Sequence, residues 1–418
     1  MINFMIQFCY LDRIMQTVDH FKKWTSLKVA VIFIISLVLL QCKSVTRRIG
    51  DGELAEIDVT KDYLQKEFYL QDIAKVEYIP FETNDNAIMG RSVRVFYVSE
   101  DYIITANTSE GDIFVYDGIG KWKYSFNHKG QGPGEYIELR NIAFDEKSKE
   151  LFVCERYSSN SKILVYAENG EYKRTLLCPL NFWPTLYNFD DETLLVYEDY
   201  GVYEMEGYSN KPYWLMSKKD GSFTDSLDIY LPVRLSNVVV WYGTRNGQTM
   251  MFARAMGINY NNRSYGKSFL IADWSADTIY RLTPQKELQP IIVRKPPMQS
   301  TNHKILWSNV LATDKFILLG VYEMNYEAVK NGNSIEQKQL MYDFTSGEIN
   351  VYKLKNKDIT SSDVSIKDAI TPVNIGITMY DTSFLFDLNE KGELQGELKE
   401  LLKSLDEEDN PVLVKIKF

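Results

Sequence analysis

The residues best placed to do chemistry in this 418-residue chain gather at 130–140, where the loop GQGPGEY runs straight into a strand carrying an arginine. Gly130, Gly132 and Gly134 allow positive φ or close backbone approach, Pro133 stiffens the turn, and Glu135, Tyr136 and Arg140 stand where they could project from it. Free amides beside a carboxylate could hold a polar ligand. The loop is no phosphate cradle, because neither Lys-Ser nor Lys-Thr follows it and no helix opens there. Its plain alternative role is a tight crossover between neighbouring sheets.

A second set is aromatic: the insert YEDYGVYEMEGYSNKPYW places Tyr197, Tyr200, Tyr203, Tyr208, Tyr213 and Trp214 among acidic neighbours. Aromatic faces ringed by polar groups suit sugars, which present C–H bonds to stack on and hydroxyls to satisfy; packing between sheets is the competing use. Glu135, Arg140, Tyr136, Tyr203 and Trp214 are therefore the candidate ligand-binding residues. Oxygen donors for a calcium-type ion exist at Glu135, Asn141, Asp145, Glu155, Asn188 and Asn237, but no spacing singles out a cage, so no metal ligand is assigned. Zinc fares worse. Only His128 and His303 lie beyond the N-terminal region, far apart, with no HExxH or CxxC. No GxSxG elbow is present, and SKKDGSF at Ser217 fails the Asp-box spacing of sialidases because Asp220 adjoins Gly221. Paired glycosidase carboxylates cannot be recognised without their separation. The sequence thus names no catalytic residue.

What must position these groups is a repeated phrase: an alternating apolar strand, a Gly-closed turn, and a second strand beginning with a charged residue. It begins at Ile113, Ile163, Tyr213, Thr278 and Leu340, and the turn glycines Gly120, Gly170, Gly221 and Gly347 lie 50, 51 and 126 residues apart. The Thr278 copy carries Pro284-Gln285 where the others have the turn glycine. A period of this length in an all-strand pattern predicts an all-β, six-bladed β-propeller with four-stranded antiparallel blades. Blade one reads SVRVFYV, YIITAN, DIFVYD and KWKYSF; blade two reads IELRNIAFD, ELFVCE, KILVYA and EYKRTLL. In the sixth, TPVNIGITMY and TSFLFDL read as strands, residues 392–405 as one short helical segment, and DNPVLVKIKF as a final strand. AKVEYIPFE, from Ala74, has no blade of its own and is expected to pair with the last one, closing the ring.

At the N-terminus, residues 29–40 form an uncharged apolar run after Lys22, Lys23 and Lys28, too short to span a bilayer. Residues 1–41 are read as a signal peptide, with Met15 as an alternative start, Cys42 as a lipidation site, 42–70 as a tether and 71–418 as the propeller. From Cys42 onward 43 basic residues face 55 acidic ones, a net charge of −12, which repels phosphate backbones and argues against nucleic acid. Cys154 and Cys178 fall on strands two apart, roughly 9 to 10 Å from each other and beyond disulfide reach, so free thiols are expected.

The stretch from FNHKGQGPGEY to NGEYKRTL resembles the NHL-repeat propellers. With GQGPGEY at 130–136, DTIYR at 277–281 and EEDNPVL at 407–413, the whole chain resembles the six-bladed β-propeller lipoproteins of Bacteroidetes. The resemblance implies the fold and an envelope location with membrane attachment through the lipid alone; the family has no settled activity. Lys43, Arg47 and Arg48 after the lipid site point to the periplasmic side of the outer membrane rather than the cell surface. The expected function is a monomeric binding or scaffolding propeller for a glycan or an envelope protein, without cofactor. The alternative is a calcium-assisted hydrolase, lactonase or lyase using the central channel.

Overall fold

The computed structural model describes residues 54–418 apart from 91–92, 156–161, 179–183, 199–210, 232, 236–237, 256–261, 301–303, 334, 336 and 368. The chain opens with β1 (Ala55–Asp58), β2 (Gln65–Tyr69), helix α1 (Leu70–Ile73) and β3 (Lys75–Pro80). Blade one follows as β4 (Val93–Val98), β5 (Tyr102–Asn107), β6 (Asp112–Asp117) and β7 (Trp122–Asn127). Blade two is β8 (Leu139–Asp145), β9 (Glu150–Glu155), β10 (Lys162–Ala167) and β11 (Tyr172–Leu177). Blade three is β12 (Pro184–Asn188), β13 (Thr193–Glu198), β14 (Tyr213–Ser217) and β15 (Phe223–Ser226). A separate hairpin, β16 (Val238–Arg245) and β17 (Gln248–Ala255), precedes blade four, which is β18 (Arg263–Tyr265), β19 (Ser268–Ile271), β20 (Thr278–Leu282) and β21 (Leu288–Lys295). Blade five is β22 (Ile305–Ala312), β23 (Phe316–Glu323), β24 (Gln337–Asp343) and β25 (Ile349–Lys355), with α2 (Tyr326–Lys330) inserted. Blade six has β26 (Ile375–Tyr380) and β27 (Val412–Lys417), with α3 (Thr382–Glu390) and α4 (Gly396–Leu402) between them.

The strand sequences explain why these sheets stack. Alternation sends successive side chains to opposite faces, and here both faces are apolar. In β6, Ile113 and Val115 enter the cluster shared with blade two, while Phe114 and Tyr116 enter the one shared with blade six. In β9, Leu151 and Val153 face blade one; Phe152 and Cys154 face blade three. Six such clusters fill the six interfaces, blade against blade, including the seam between blades six and one. Cys154 and Cys178 sit in one of them, both free and buried, and burial pushes the Cys154 thiol up.

The structure corrects the sequence at both ends. The stretch read as tether contains two strands: β1 pairs in parallel with β21 on the outer edge of blade four, and β2 pairs in parallel with β25 on blade five. β3 then pairs antiparallel with β27, making a three-stranded sixth blade and closing the ring as the sequence indicates. The N-terminal segment is thus a belt over the outer edges of three successive blades, and the folded body starts before residue 71. TSFLFDL is helical, not a strand: Thr382, Leu385 and Leu388, three apart, are buried on one side of α3. Helix α4 buries Leu398 and Leu402 in the same cluster, so the C-terminal part holds two helices rather than one.

Candidate ligand-binding site

The GQGPGEY loop is the crossover from blade one to blade two, and it is folded onto itself. The Gly132 amide donates to the Glu135 carboxylate at 2.8 Å, the Glu135 amide to the Gly132 carbonyl at 3.1 Å, and the Gly130 amide to the Tyr136 carbonyl at 3.0 Å. Gly134 takes φ 77°, and a β-carbon there would come within 2.8 Å of the Tyr172 ring. Glu135 is exposed but spends its carboxylate on the loop's own amide. Tyr136 is fully buried; its hydroxyl donates to the Gly111 carbonyl at 2.5 Å and accepts from the His128 amide at 3.1 Å. Tyr136 is therefore a packing anchor, not a ligand contact, and Arg140 is half-buried at the start of β8. His128 stacks on Tyr166, with ring centroids 5.1 Å apart, and its Nε2 lies 2.8 Å from the Gly170 carbonyl.

The aromatic insert divides. Tyr203 lies outside the described residues, as does the lipidation candidate Cys42. Trp214, on β14, stacks on Phe223 with centroids 4.9 Å apart and serves the packing of blade three. Tyr213 is buried and donates to Asn262 at 3.2 Å; Tyr197 donates to Asp273 at 2.8 Å. Tyr197, Tyr213 and Trp214 stand on β13 and β14 of blade three, whereas Glu135 lies in the crossover before blade two and Arg140 on β8.

The oxygen donors scatter likewise. Asn141 accepts from the Leu186 amide at 2.8 Å, Glu155 from the Ile137 amide at 3.1 Å, and Asn237 is not among the described residues. Among the described residues no three His, Cys, Asp or Glu side chains converge as a metal cage. Yet Asp145 and Asn188 do share a site. Each is the last residue of its blade's innermost strand, β8 and β12, and both line a cavity of about 690 Å³.

The cavity lies where the turns that follow the inner strands of blades two, three and four gather, at the opposite end of β8 from the GQGPGEY crossover. Its floor is a strap: between blades five and six the chain returns to the axis, where the Ile370 amide donates to the Phe96 carbonyl (3.0 Å) and the Val98 amide to the Ile370 carbonyl (2.9 Å). Arg263, from blade four, donates to the Ala369 carbonyl at 3.3 Å, and the Ile370 side chain packs with the cluster of blades three and four. The chain therefore runs across the inner strands at this level, touching blades one, three and four.

Apolar surface in the cavity comes from Phe189 and Phe269, whose centroids are 6.0 Å apart, and from Ile370. Several wall carboxylates are already engaged. Asp145 is paired with buried Lys218 at 2.7 Å; burial works to raise its carboxyl, and the hydrogen bond and charge of Lys218 more than offset this, holding it below its ordinary value. Burial also opposes ionisation of Asp190, but the Thr193 hydroxyl and the amides of Glu192 and Thr193 hold it low as well. Glu146 accepts from the Tyr97 hydroxyl at 2.6 Å, and Asp191 pairs with Lys147. The uncommitted groups are fewer. Asn188 Oδ1 is buried without a partner, and no bond engages the side chains of Glu192 and Lys267 among the described residues. Phe189 and Phe269 give the cavity apolar surface, and one free carboxylate and one ammonium can exchange hydrogen bonds with a polar guest.

Phe189, Glu192 and Lys267 lie in turns and Phe269 at the start of β19, none in a sequence motif, which is why reading the sequence missed them. The available signal was positional: Asp145 and Asn188 occupy equivalent ends of consecutive inner strands.

The domain of unknown function DUF4934 matches residues 54–417. The chain belongs to the DUF4934 family. Among solved structures, this DUF4934 propeller is similar to a candidate exported protein of Bacteroides fragilis, at 15% identity and TM-score 0.56, over 85% of this chain and 99% of that one. It also matches a DUF4221-family member from Bacteroides vulgatus at 10% identity and TM-score 0.43, over 82% and 96%. The first shares the fold; neither tells what the DUF4934 chain binds. A search of curated proteins finds no match.

Proposed function

We propose that this chain is an exported, envelope-located binding propeller, anchored through Cys42, that seats a sugar-sized polyhydroxylated ligand such as a glycan terminus in the axial cavity. The observation that carries this reading is the pair of exposed, uncommitted side chains Glu192 and Lys267 set with Phe189 and Phe269 in the lining of a cavity of about 690 Å³. Small-ligand pockets run from roughly 300 to 1,000 Å³, with apolar walls and a few placed polar groups. Resemblance to the Bacteroidetes lipoproteins supports the location, and the N-terminal run before Cys42 supports export.

Isothermal titration with a panel of neutral mono- and oligosaccharides tests the reading. Glu192→Gln and Lys267→Ala, both at exposed positions, are each expected to weaken a true ligand about tenfold, or ~1.4 kcal/mol. Unchanged affinity in both variants would place the ligand elsewhere.

A further inference from the structure

Charge is divided unevenly round the axial cavity. Blades two and three bring five carboxylates to its wall: Asp145 and Glu146 at the end of β8, and Asp190, Asp191 and Glu192 in the turn after β12. Blade four brings Ser264, Gly266, Lys267, Phe269 and Pro284, and the one charge among them is the Lys267 ammonium. The blade-two and blade-three side of the cavity is therefore acidic and the blade-four side basic.

Not every carboxylate is open to a guest. Asp145 is cancelled by buried Lys218 at 2.7 Å, and Asp191 by Lys147. The other three have no cation bonded to them among the described residues. Glu146 takes the neutral Tyr97 hydroxyl on Oε2 at 2.6 Å, which leaves Oε1 open. Burial first, and then the Glu146 carboxylate, push the Tyr97 phenol up, so it stays a neutral donor. Asp190 spends Oδ1 on the Thr193 hydroxyl and the amides of Glu192 and Thr193, and no bond engages the Glu192 side chain. Lys286, in the second turn of blade four, acts on Asp190 through its charge alone. Even with Lys286 counted beside Lys267, the open carboxylates outnumber the ammoniums.

A wall of this kind sorts guests by charge. An ionised carboxylate only accepts hydrogen bonds and an ammonium only donates them. Bonds between the two are roughly twice as strong as neutral ones, whereas a second carboxylate is repelled. Lys267 can donate to hydroxyl or ring oxygens elsewhere on the guest. We infer that the cavity takes an amino sugar, with its basic nitrogen on the Glu146, Asp190 and Glu192 side and its hydroxyls towards Lys267, and that it turns acidic sugars away. This rests on the reading of the cavity as a sugar site and names the class that its charges select.

Isothermal titration of the chain from Ser44 onward, which holds every blade, tests this at pH 6, where the carboxylates are ionised and a sugar amine is protonated. Glucose, galactose and mannose are each compared as the parent sugar, the 2-amino form, the N-acetylated amine and the uronic acid. The amine is expected to bind about tenfold tighter than the parent and the N-acetylated form, and the uronic acid most weakly. Added salt is expected to shrink that margin. The double variant Glu146→Gln, Glu192→Gln, checked for an unchanged circular dichroism spectrum, is expected to lose most of the margin; Lys267→Ala is expected to weaken parent and amine alike and leave the margin standing. The wild-type comparison decides by itself should a variant misfold. Parent sugars that bind with no gain from the amine, or a gain that survives in the double variant, would overturn the inference and leave the sugar reading intact. No binding by any form would overturn both.

Discussion

At the residue scale, single backbone positions decide the repeat. Gly170 closes the turn of blade two at φ 87°, and a β-carbon there would come within 2.5 Å of the Phe126 ring. Gly170→Ala combines a left-handed penalty with a clash, so a loss of about 2 kcal/mol or more is expected in urea unfolding. The blade-four turn gives the contrasting case. Lys286, at φ 68°, makes the same turn bonds that Gly170 makes, donating to the Thr283 carbonyl. The missing glycine is therefore replaced by Lys286, not by Pro284-Gln285, and the left-handed cost is borne there. Lys286→Gly is expected to stay within ~1 kcal/mol of the wild type, because relief of strain is offset by greater freedom of the unfolded chain.

Electrostatics at the cavity act at the same scale. Lys218→Met strands the buried Asp145 carboxylate and is expected to cost about 3 to 5 kcal/mol. Asp190 ionises below its ordinary value in the fold, so its contribution is complete above the unfolded value near pH 4 and is lost as pH falls through the lower folded one. Stability measured against pH is expected to fall less steeply in acid for Asp190→Asn. The turn glycines were legible because their residue type takes the left-handed geometry without the cost that Lys286 bears. The cavity was not legible, because Phe189, Glu192, Lys267 and Phe269 acquire meaning only when blades three and four are set side by side. Conversely, the composition of GQGPGEY suits a binding loop as well as a crossover, and the structure makes it the crossover, with the Gly132 and Gly130 amides taken by Glu135 and Tyr136.

At the scale of elements, the N-terminal belt is the main departure from the sequence reading. Polar residues 55–69 lack a strong period because each strand buries little: β2 reads exposed and half-exposed throughout, and only Ala55 and Ile57 of β1 are buried. Backbone pairing to β21 and β25, not side-chain pattern, makes them strands, and such pairing leaves no trace in hydropathy. A chain starting at residue 71 is expected to unfold at lower temperature than one starting at Ser44 and to associate through the uncovered edges of blades four and five. Equal midpoints and equal solubility would restore the tether reading. Helix α3 misleads for a related reason: Phe384 and Phe386 alternate like a strand, while the buried positions Thr382, Leu385 and Leu388 follow helical spacing.

At the scale of the whole ring, the blade order, the stacked interfaces and the closure by β3 follow from a repeat visible in the chain. The strap at Ile370 does not, because its apolar side chain looks like any loop residue until the axis is assembled around it. That strap makes the axial cavity a cup with a floor and gives the binding reading its shape. The deciding measurement is the thermal unfolding midpoint of the chain from Ser44 with a glycan panel, with calcium, and with chelator, in the wild type and in the Glu192→Gln, Lys267→Ala double variant. A ligand that binds only the folded state raises the midpoint. The account predicts a rise with at least one glycan that the double variant largely loses, and no chelator-reversible rise with calcium. A calcium shift that chelator reverses, or a glycan shift that survives in the double variant, would contradict it.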